Sequence, residues 1–366
     1  DLRERAALFK ETLQPQPVKR LFLRLDARRQ LARRALGQGR RQVFLEGDQL
    51  AVGVLARDML CGLLLVEQAD RAVPVARSGF QIDRRLAGPD QLRTEFGGLF
   101  RIVLLGFPVA EPVIYCADES VTGTALYVMG FVPGRVFWNP EMPGSNPAER
   151  AVVYASMNGA MARLHSFDPA AIGLGDFGRG ENYVARQVDR WSKQYRASET
   201  QKIDEMERLI EWLPAQIPPA GPPRLVHGDY RLDNVILHAS EPKVLAVLDW
   251  EMATLGDPLM ELGGIVAYWN EAGDDRIAQF MRRQPTHLPG MMTRREVVEY
   301  YLGKTGIKCD NWAFYEAYGL FRLAVIIQQI YYRYHHGQTR NPAFKHFWVM
   351  ANYLGLRARR VIRRAS

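Results

Sequence analysis

No lysine stands between Lys19 and Lys193. An anion bound by that stretch has only arginine, histidine and backbone N–H groups to meet it, since the compact ammonium charge is missing. Cysteine is scarce as well: Cys61, Cys116 and Cys309 are the only three. Their spacing makes neither a metal-ligand set nor a disulfide framework, and they suit a reducing, cytoplasmic setting. No apolar run reaches the roughly 18 residues that a membrane-crossing helix needs. The longest candidate, Met59–Val66, breaks off too early. No repeat or coiled coil is present, which excludes a solenoid.

What is present is an ordinary globular balance. Of 366 residues, 47% are hydrophobic and 24% charged, enough for two lobes around separate cores. The net charge is +8, and with eight lysines among 48 basic residues the remaining 40 are arginine. A basic surface favours anionic ligands such as nucleotides. The arginines are dispersed and no nucleic-acid module is recognisable, so nucleic acid is not an expected partner. Arg20–Arg41 holds eight arginines and one acid, Asp26. It reads as a basic helix; its composition resembles a transit peptide, but it lies too far from residue 1 for that.

The most informative stretch is RLVHGDYRLDNVILHASEPKVLAVLDWEMATLGDPLMELGG, Arg224–Gly264. Leu225–Val226 leads into His227-Gly228-Asp229. Val235–His238 and Val244–Leu248 read as two short strands joined by a turn. His-Gly-Asp alone is a common turn. Followed by Asn234, Asp249 and Gly256-Asp257-Pro258, it fits phosphoryl transfer, in which catalysis is mostly positioning and electrostatics. Magnesium takes oxygen ligands, and Asn234 and Asp249 supply one amide oxygen and one carboxylate. Asp229, a tight loop away from Asn234, can orient an acceptor hydroxyl and take its proton late. His227 is expected to brace this loop, and Asp257 to hold it through backbone hydrogen bonds.

HGDYRLDN with LDWE and GDP resembles the aminoglycoside phosphotransferase and choline kinase family, which shares the protein-kinase-like fold. The segment NYVARQVDRWSKQYRASET, Asn182–Thr200, is similar to phosphotransferase domains that occur alone in bacteria or fused to acyl-CoA dehydrogenases. The resemblance runs from about Pro108 to the C-terminus. It implies an α+β fold with a small β-rich N-terminal lobe, residues 1–131, for nucleotide. A mainly helical C-terminal lobe, residues 132–366, would carry catalysis and the acceptor. It also implies ATP as phosphoryl donor, Mg2+, a small-molecule hydroxyl as acceptor, possession of Asp229 as catalytic aspartate, and adenine contacts near Met129, Gly130 and Phe131. A hydroxyacyl-CoA-like acceptor follows by analogy with the fused domains.

Before Pro108 the sequence departs from the family. The first lobe should carry a strand lysine that pairs with the nucleotide phosphates and a helix glutamate that holds it. Glu95, in LRTEF, stands where the glutamate belongs, but the lysine gap leaves only Arg77, Arg84 or Arg85 as substitutes. Gly97-Gly98 is expected to interrupt the Glu95 helix, each glycine costing about 1 kcal/mol relative to alanine. An altered lobe, or a frameshifted coding region, accounts for this divergence. The complete Asp229, Asn234 and Asp249 set favours an active small-molecule kinase; the missing lysine favours an impaired, pseudokinase-like binding module. Aminoglycoside phosphorylation is a third reading, which the basic charge disfavours.

Helices are expected at Pro147–His165, Asn182–Thr200, Ile203–Leu213, Leu259–Trp269, Arg294–Thr305, Trp312–Tyr334 and Pro342–Arg364. Trp191, Tyr195 and Arg196 either border an acceptor pocket or belong to the core.

Overall fold

The computed structural model describes residues 50–51, 89–116, 126–139 and 141–365. The expected basic helix at Arg20–Arg41 and the arginines Arg77, Arg84 and Arg85 lie outside them. The chain divides into two compact units, residues 1–135 with Leu245–Glu251, and Val136–Val244 with Met252–Ser366.

In the first unit a short strand β1 (Leu50–Ala51) is followed by helix α1 (Pro89–Leu104), then β2 (Pro112–Cys116) and β3 (Leu126–Gly130). The sheet is antiparallel with β3 in the centre, and Tyr115 faces Tyr127 across the ladder. Helix α1 buries Phe96, Leu99 and Ile102, a three-residue spacing that makes one apolar stripe. Phe96 lies 6.0 Å from both the Tyr115 and Tyr127 rings. The expected break at Gly97-Gly98 does not occur, and α1 runs through both glycines to Leu104. Burial of three large side chains, each contributing about 1.5–3 kcal/mol, outweighs the glycine penalty. The helix stops where Gly106 turns left-handed, with φ of 69°.

The second unit is mainly helical. Helix α2 (Pro147–Ser166) starts under the Asn146 side chain, which accepts from Glu149 N–H, with Pro147 in the first turn. Helices α3 (Tyr183–Ala197) and α4 (Asp204–Ala215) follow. Strand β4 (Arg224–Val226) pairs antiparallel with the later β7 (Thr254–Gly256). Between them a 3-10 turn at Leu232–Asn234 leads into the hairpin of β5 (Val235–Leu237) and β6 (Val244–Val247), closed by His238 N–H donating to Lys243 O, with β6 from Leu245 onward counted in the first unit. Then come α5 (Pro258–Ala267), the short α6 (Arg276–Phe280), α7 (Arg294–Thr305), α8 (Trp312–His335) and α9 (Phe347–Ala365). Helix α7 opens with a capping box between Thr293 and Glu296. The expected single helix from Pro342 is a 3-10 turn at Pro342–Phe344 and then α9. Among the described residues no helix is long and apolar enough to cross a membrane.

Every residue of α5 is buried, which its sequence PLMELGGIVA anticipates: one charge, Glu261, in an apolar run. Helices α5 and α8 approach through glycine. A Cβ on Gly319 would stand 2.0 Å from Gly263 O, and one on Gly263 would stand 2.2 Å from Tyr315 O. Alanine is the better helix former by about 1 kcal/mol, but a clash with backbone cannot relax by a side-chain rotation and typically costs about 1–3 kcal/mol. Gly319→Ala is therefore expected to lower the midpoint of urea unfolding, despite its helix propensity. An unchanged or raised midpoint would show that the two helices separate freely.

Candidate active site

The loop from His227 to Asn234 leaves β4 through Gly228, whose φ is 84°. A Cβ there would fall 2.6 Å from Met252 O, so both conformation and space demand glycine. His227 is fully buried, and its Nδ1 accepts from Asp229 N–H at 3.2 Å. The imidazole thus braces the loop.

The loop's next anchor was not the one expected. Asp257 accepts from Leu259 and Met260 N–H at 2.8 and 3.1 Å and caps α5, its own helix, rather than holding the loop. The loop amides go one turn further along, to Glu261. Its Oε2 accepts from His227 N–H at 3.0 Å and its Oε1 from Gly228 N–H at 2.6 Å. Glu261 Oε2 also lies 2.7 Å from His165 Nε2, and His165 Nδ1 lies 2.6 Å from the Tyr301 hydroxyl. An ionised Glu261 can only accept, so the His165 proton belongs on Nε2, and Nδ1 takes the Tyr301 hydroxyl proton. Burial pushes the Glu261 carboxyl up, but the His165 hydrogen bond, the two neighbouring histidines and the Gly228 N–H outweigh it, and the net direction is down. The signal in the sequence was the lone acid of α5.

Around Asp229 the contacts are dense. Asn234 Nδ2 donates to Asp229 O at 2.8 Å and to Asp229 Oδ2 at 3.1 Å. That orientation turns the amide oxygen of Asn234 away from Asp229. Arg231 Nε stands 3.2 Å from Asp229 Oδ1, and its Nη2 stands 3.4 Å from Asp233 Oδ2. Arg322, on α8, donates from Nη2 to Gly228 O at 2.9 Å. Asn234 immediately precedes β5, and Asp249 follows β6 by two residues.

Asp249 belongs to the first unit. It is left-handed, with φ of 64°, which costs a non-glycine residue roughly 1–2 kcal/mol. The next residue fixes the turn: Trp250 is buried, donates from Nε1 to Val247 O at 3.0 Å, and meets Phe107 edge-on at 5.8 Å. In the same unit the Tyr127 hydroxyl donates to Glu95 Oε1 at 2.6 Å. Burial pushes the Glu95 carboxyl up, the Tyr127 bond pulls it down, and the charges of Glu251 and Asp249 raise it further, to about 7. Met129 and Gly130 end β3, Gly130 N–H already bonds Glu111 O at 2.8 Å, and Phe131 is 47% exposed. Trp191 and Tyr195 are buried, and Arg196 pairs with Glu207, so these three read as core and its rim.

With this geometry in hand, comparison with known proteins defines the class. The model of the phosphotransferase enzyme family, APH, matches residues 83–296. The chain belongs to this family, whose members are small-molecule phosphotransferases. A crystal structure of a candidate aminoglycoside phosphotransferase from Ralstonia eutropha is 40% identical, with a TM-score of 0.66, covering 74% of this chain and 84% of that one. The fold is accordingly the α+β, kinase-like one that the motifs implied. Acyl-CoA dehydrogenase family member 10 of Mus musculus is 41% identical over 250 residues, 68% of this chain and 23% of that protein. Member 11 of Homo sapiens is 37% identical over 249 residues, 67% of this chain and 31% of that protein. The chain thus spans about a quarter to a third of these curated relatives.

Two outcomes follow from the buried carboxyls. Glu261 has a lowered folded pKa, so its stabilisation is present above about pH 4.5 and is lost as pH falls through the folded value. Glu261→Gln places an amide N–H against an N–H donor, an unmet pairing that costs about 1–3 kcal/mol. Thermal melts from pH 3 to 7 should show a lower Tm near neutrality and a shallower acid fall than wild type. Glu95 has the opposite sign: raised from 4.5 to about 7, it stabilises fully below 4.5, and this is lost as pH rises through 7. The shift corresponds to on the order of 3 kcal/mol. Glu95→Gln, neutral throughout, should remove that part of the decline in urea midpoint between pH 5 and 8; identical pH slopes would count against a neutral Glu95.

Proposed function

We propose that the protein transfers the γ-phosphoryl group of ATP to a hydroxyl of a small molecule, with Mg2+. We further propose that the acceptor is a hydroxylated acyl compound of the hydroxyacyl-CoA kind. The observation that carries the reading is the pairing of Asn234 with Asp229 on a loop whose amides are held by a buried carboxylate. Such a loop cannot drift, and in phosphoryl transfer positioning is most of catalysis. Similarity to proteins named acyl-CoA dehydrogenases supports the acyl acceptor.

In this reading Asp229 orients the acceptor hydroxyl along the line of attack and takes its proton late. Arg231, beside Oδ1, pairs with the carboxylate and limits its rotation. The amide oxygen of Asn234, turned away by its own N–H bonds, and the carboxylate of Asp249 fit a hard cation that prefers oxygen. Asn234 and Asp249 would hold magnesium, which would supply positive charge against the phosphates during transfer. Residues 1–131 serve the nucleotide, with Met129–Phe131 at the adenine and Glu95 toward the phosphates; residues 132–366 serve catalysis and the acceptor.

One observation favours a second reading, an impaired nucleotide-binding module. Glu95 is held by a tyrosine hydroxyl and pushed toward its neutral form, an environment unlike the ion pair of an active kinase. One set of measurements separates the two. Transfer from labelled ATP into a metabolite extract should occur with wild type and cease with Asp229→Ala, while Mg-nucleotide binding by calorimetry persists. Asn234→Ala and Asp249→Ala should weaken that binding and its metal dependence together, Asp249 more because it carries charge. Nucleotide binding with no transfer by wild type would establish the second reading.

A further inference from the structure

Several arginines of the second unit are neutralised by carboxylates. Arg294 is clamped by Glu271 and Asp274, Arg359 by Glu205, and Arg231 by Asp229 and Asp233. Arg322 is different. It sits half-buried on α8, and one donor, Nη2, bonds the carbonyl of Gly228, the peptide that leads into Asp229. Its guanidinium lies 5.3 Å from the centre of the Trp191 ring. The buried hydroxyls of Tyr183, Tyr268 and Tyr318 all feel its charge. Among the described residues no carboxylate lies within ion-pair distance of it, and its remaining donors are not sealed from solvent.

A clamp on one carbonyl needs a single N–H. A guanidinium brings five donors and a full charge, and an uncompensated charge in a half-buried site is costly unless an anion meets it. Among the described residues no carboxylate meets the surplus donors, and the charge faces the Trp191 ring and the Gly228 carbonyl. The aromatic backing limits their motion, which preorganises a fork suited to a carboxylate or phosphate.

We propose that Arg322 is a specificity-determining residue that receives an anionic group of the acceptor, so that the substrate is a hydroxyl compound carrying a carboxylate or phosphate near the hydroxyl. This rests on the phosphoryl-transfer reading alone, not on a CoA-thioester acceptor, whose hydroxyl has no anion beside it. Charge-assisted contacts of this kind are worth about 10- to 100-fold in affinity.

The test uses glycerate, glycerol 3-phosphate and glycerol as probes, titrated calorimetrically against the full chain with and without Mg2+ and a non-hydrolysable ATP analogue. Wild type should bind both anions at least about tenfold more tightly than glycerol. Arg322→Gln should erase that difference, and Arg322→Lys should keep part of it, with both melting curves recorded to confirm folding. Preference for only one anion would assign the fork to a carboxylate or to a phosphate. Equal affinity for all three probes in wild type would overturn the proposal, as would retention of the anion preference in Arg322→Gln. Should Arg322→Gln fail to fold, the wild-type contrast and Arg322→Lys still decide. Failure of the ATP analogue to bind would strike the phosphotransferase reading alone, because the probe titrations without nucleotide report Arg322 independently.

Discussion

A single buried carboxylate organises the candidate site. Glu261 accepts from two consecutive loop amides and from His165, and each partner would be an unsatisfied buried donor without it. Three donors on one anion explain how a charge survives in a helix whose every residue is buried. The direction of its pKa follows from the same count. His165 passes the constraint on to Tyr301 of α7, so the loop is tied through side chains to α2, α5 and α7. The left-handed Gly228 is the point where this pull is resolved, because only a residue without Cβ fits beside Met252.

Much of this was legible in the amino-acid order. The Asp229, Asn234 and Asp249 spacing named the family, and periodicity located most helices to within a few residues. The misses have different causes, tertiary in one case and local in another. Gly97-Gly98 stays helical because Phe96, Leu99 and Ile102 have a core to enter, which no local rule reports. Asp257 was expected to accept from the loop's backbone N–H groups, yet its carboxylate takes the free amides of its own helix, which are the nearer donors. The pairing of β4 with β7 joins segments about thirty residues apart, and their length of three residues gives almost no period to read. The role of Arg322 needed three dimensions, since it is nearly a hundred residues from Gly228 in the chain.

The first unit shows what replaces an expected interaction when its partner residue type is missing. Glu95 keeps its place on α1, but among the described residues its bond is to a tyrosine hydroxyl. Tyrosine can donate to a carboxyl in either protonation state without bringing charge. The carboxyl is then free to hold its proton to about neutrality, under the joint influence of burial and of the acids Asp249 and Glu251.

The glycine contact between α5 and α8 has a consequence for timing. Helix α5 holds the loop by its N–H groups through Glu261, and α8 holds it by a carbonyl through Arg322. The two helices meet backbone to backbone at Gly263 and Gly319, with no side chain between them to act as a spring. The loop is therefore gripped on both of its polar edges by one rigid pair. Its ordering entropy is incurred when the chain folds, not when a ligand arrives. Motion at the site must then be carried by other segments, while the peptide leading into Asp229 behaves as a fixed wall of the second unit.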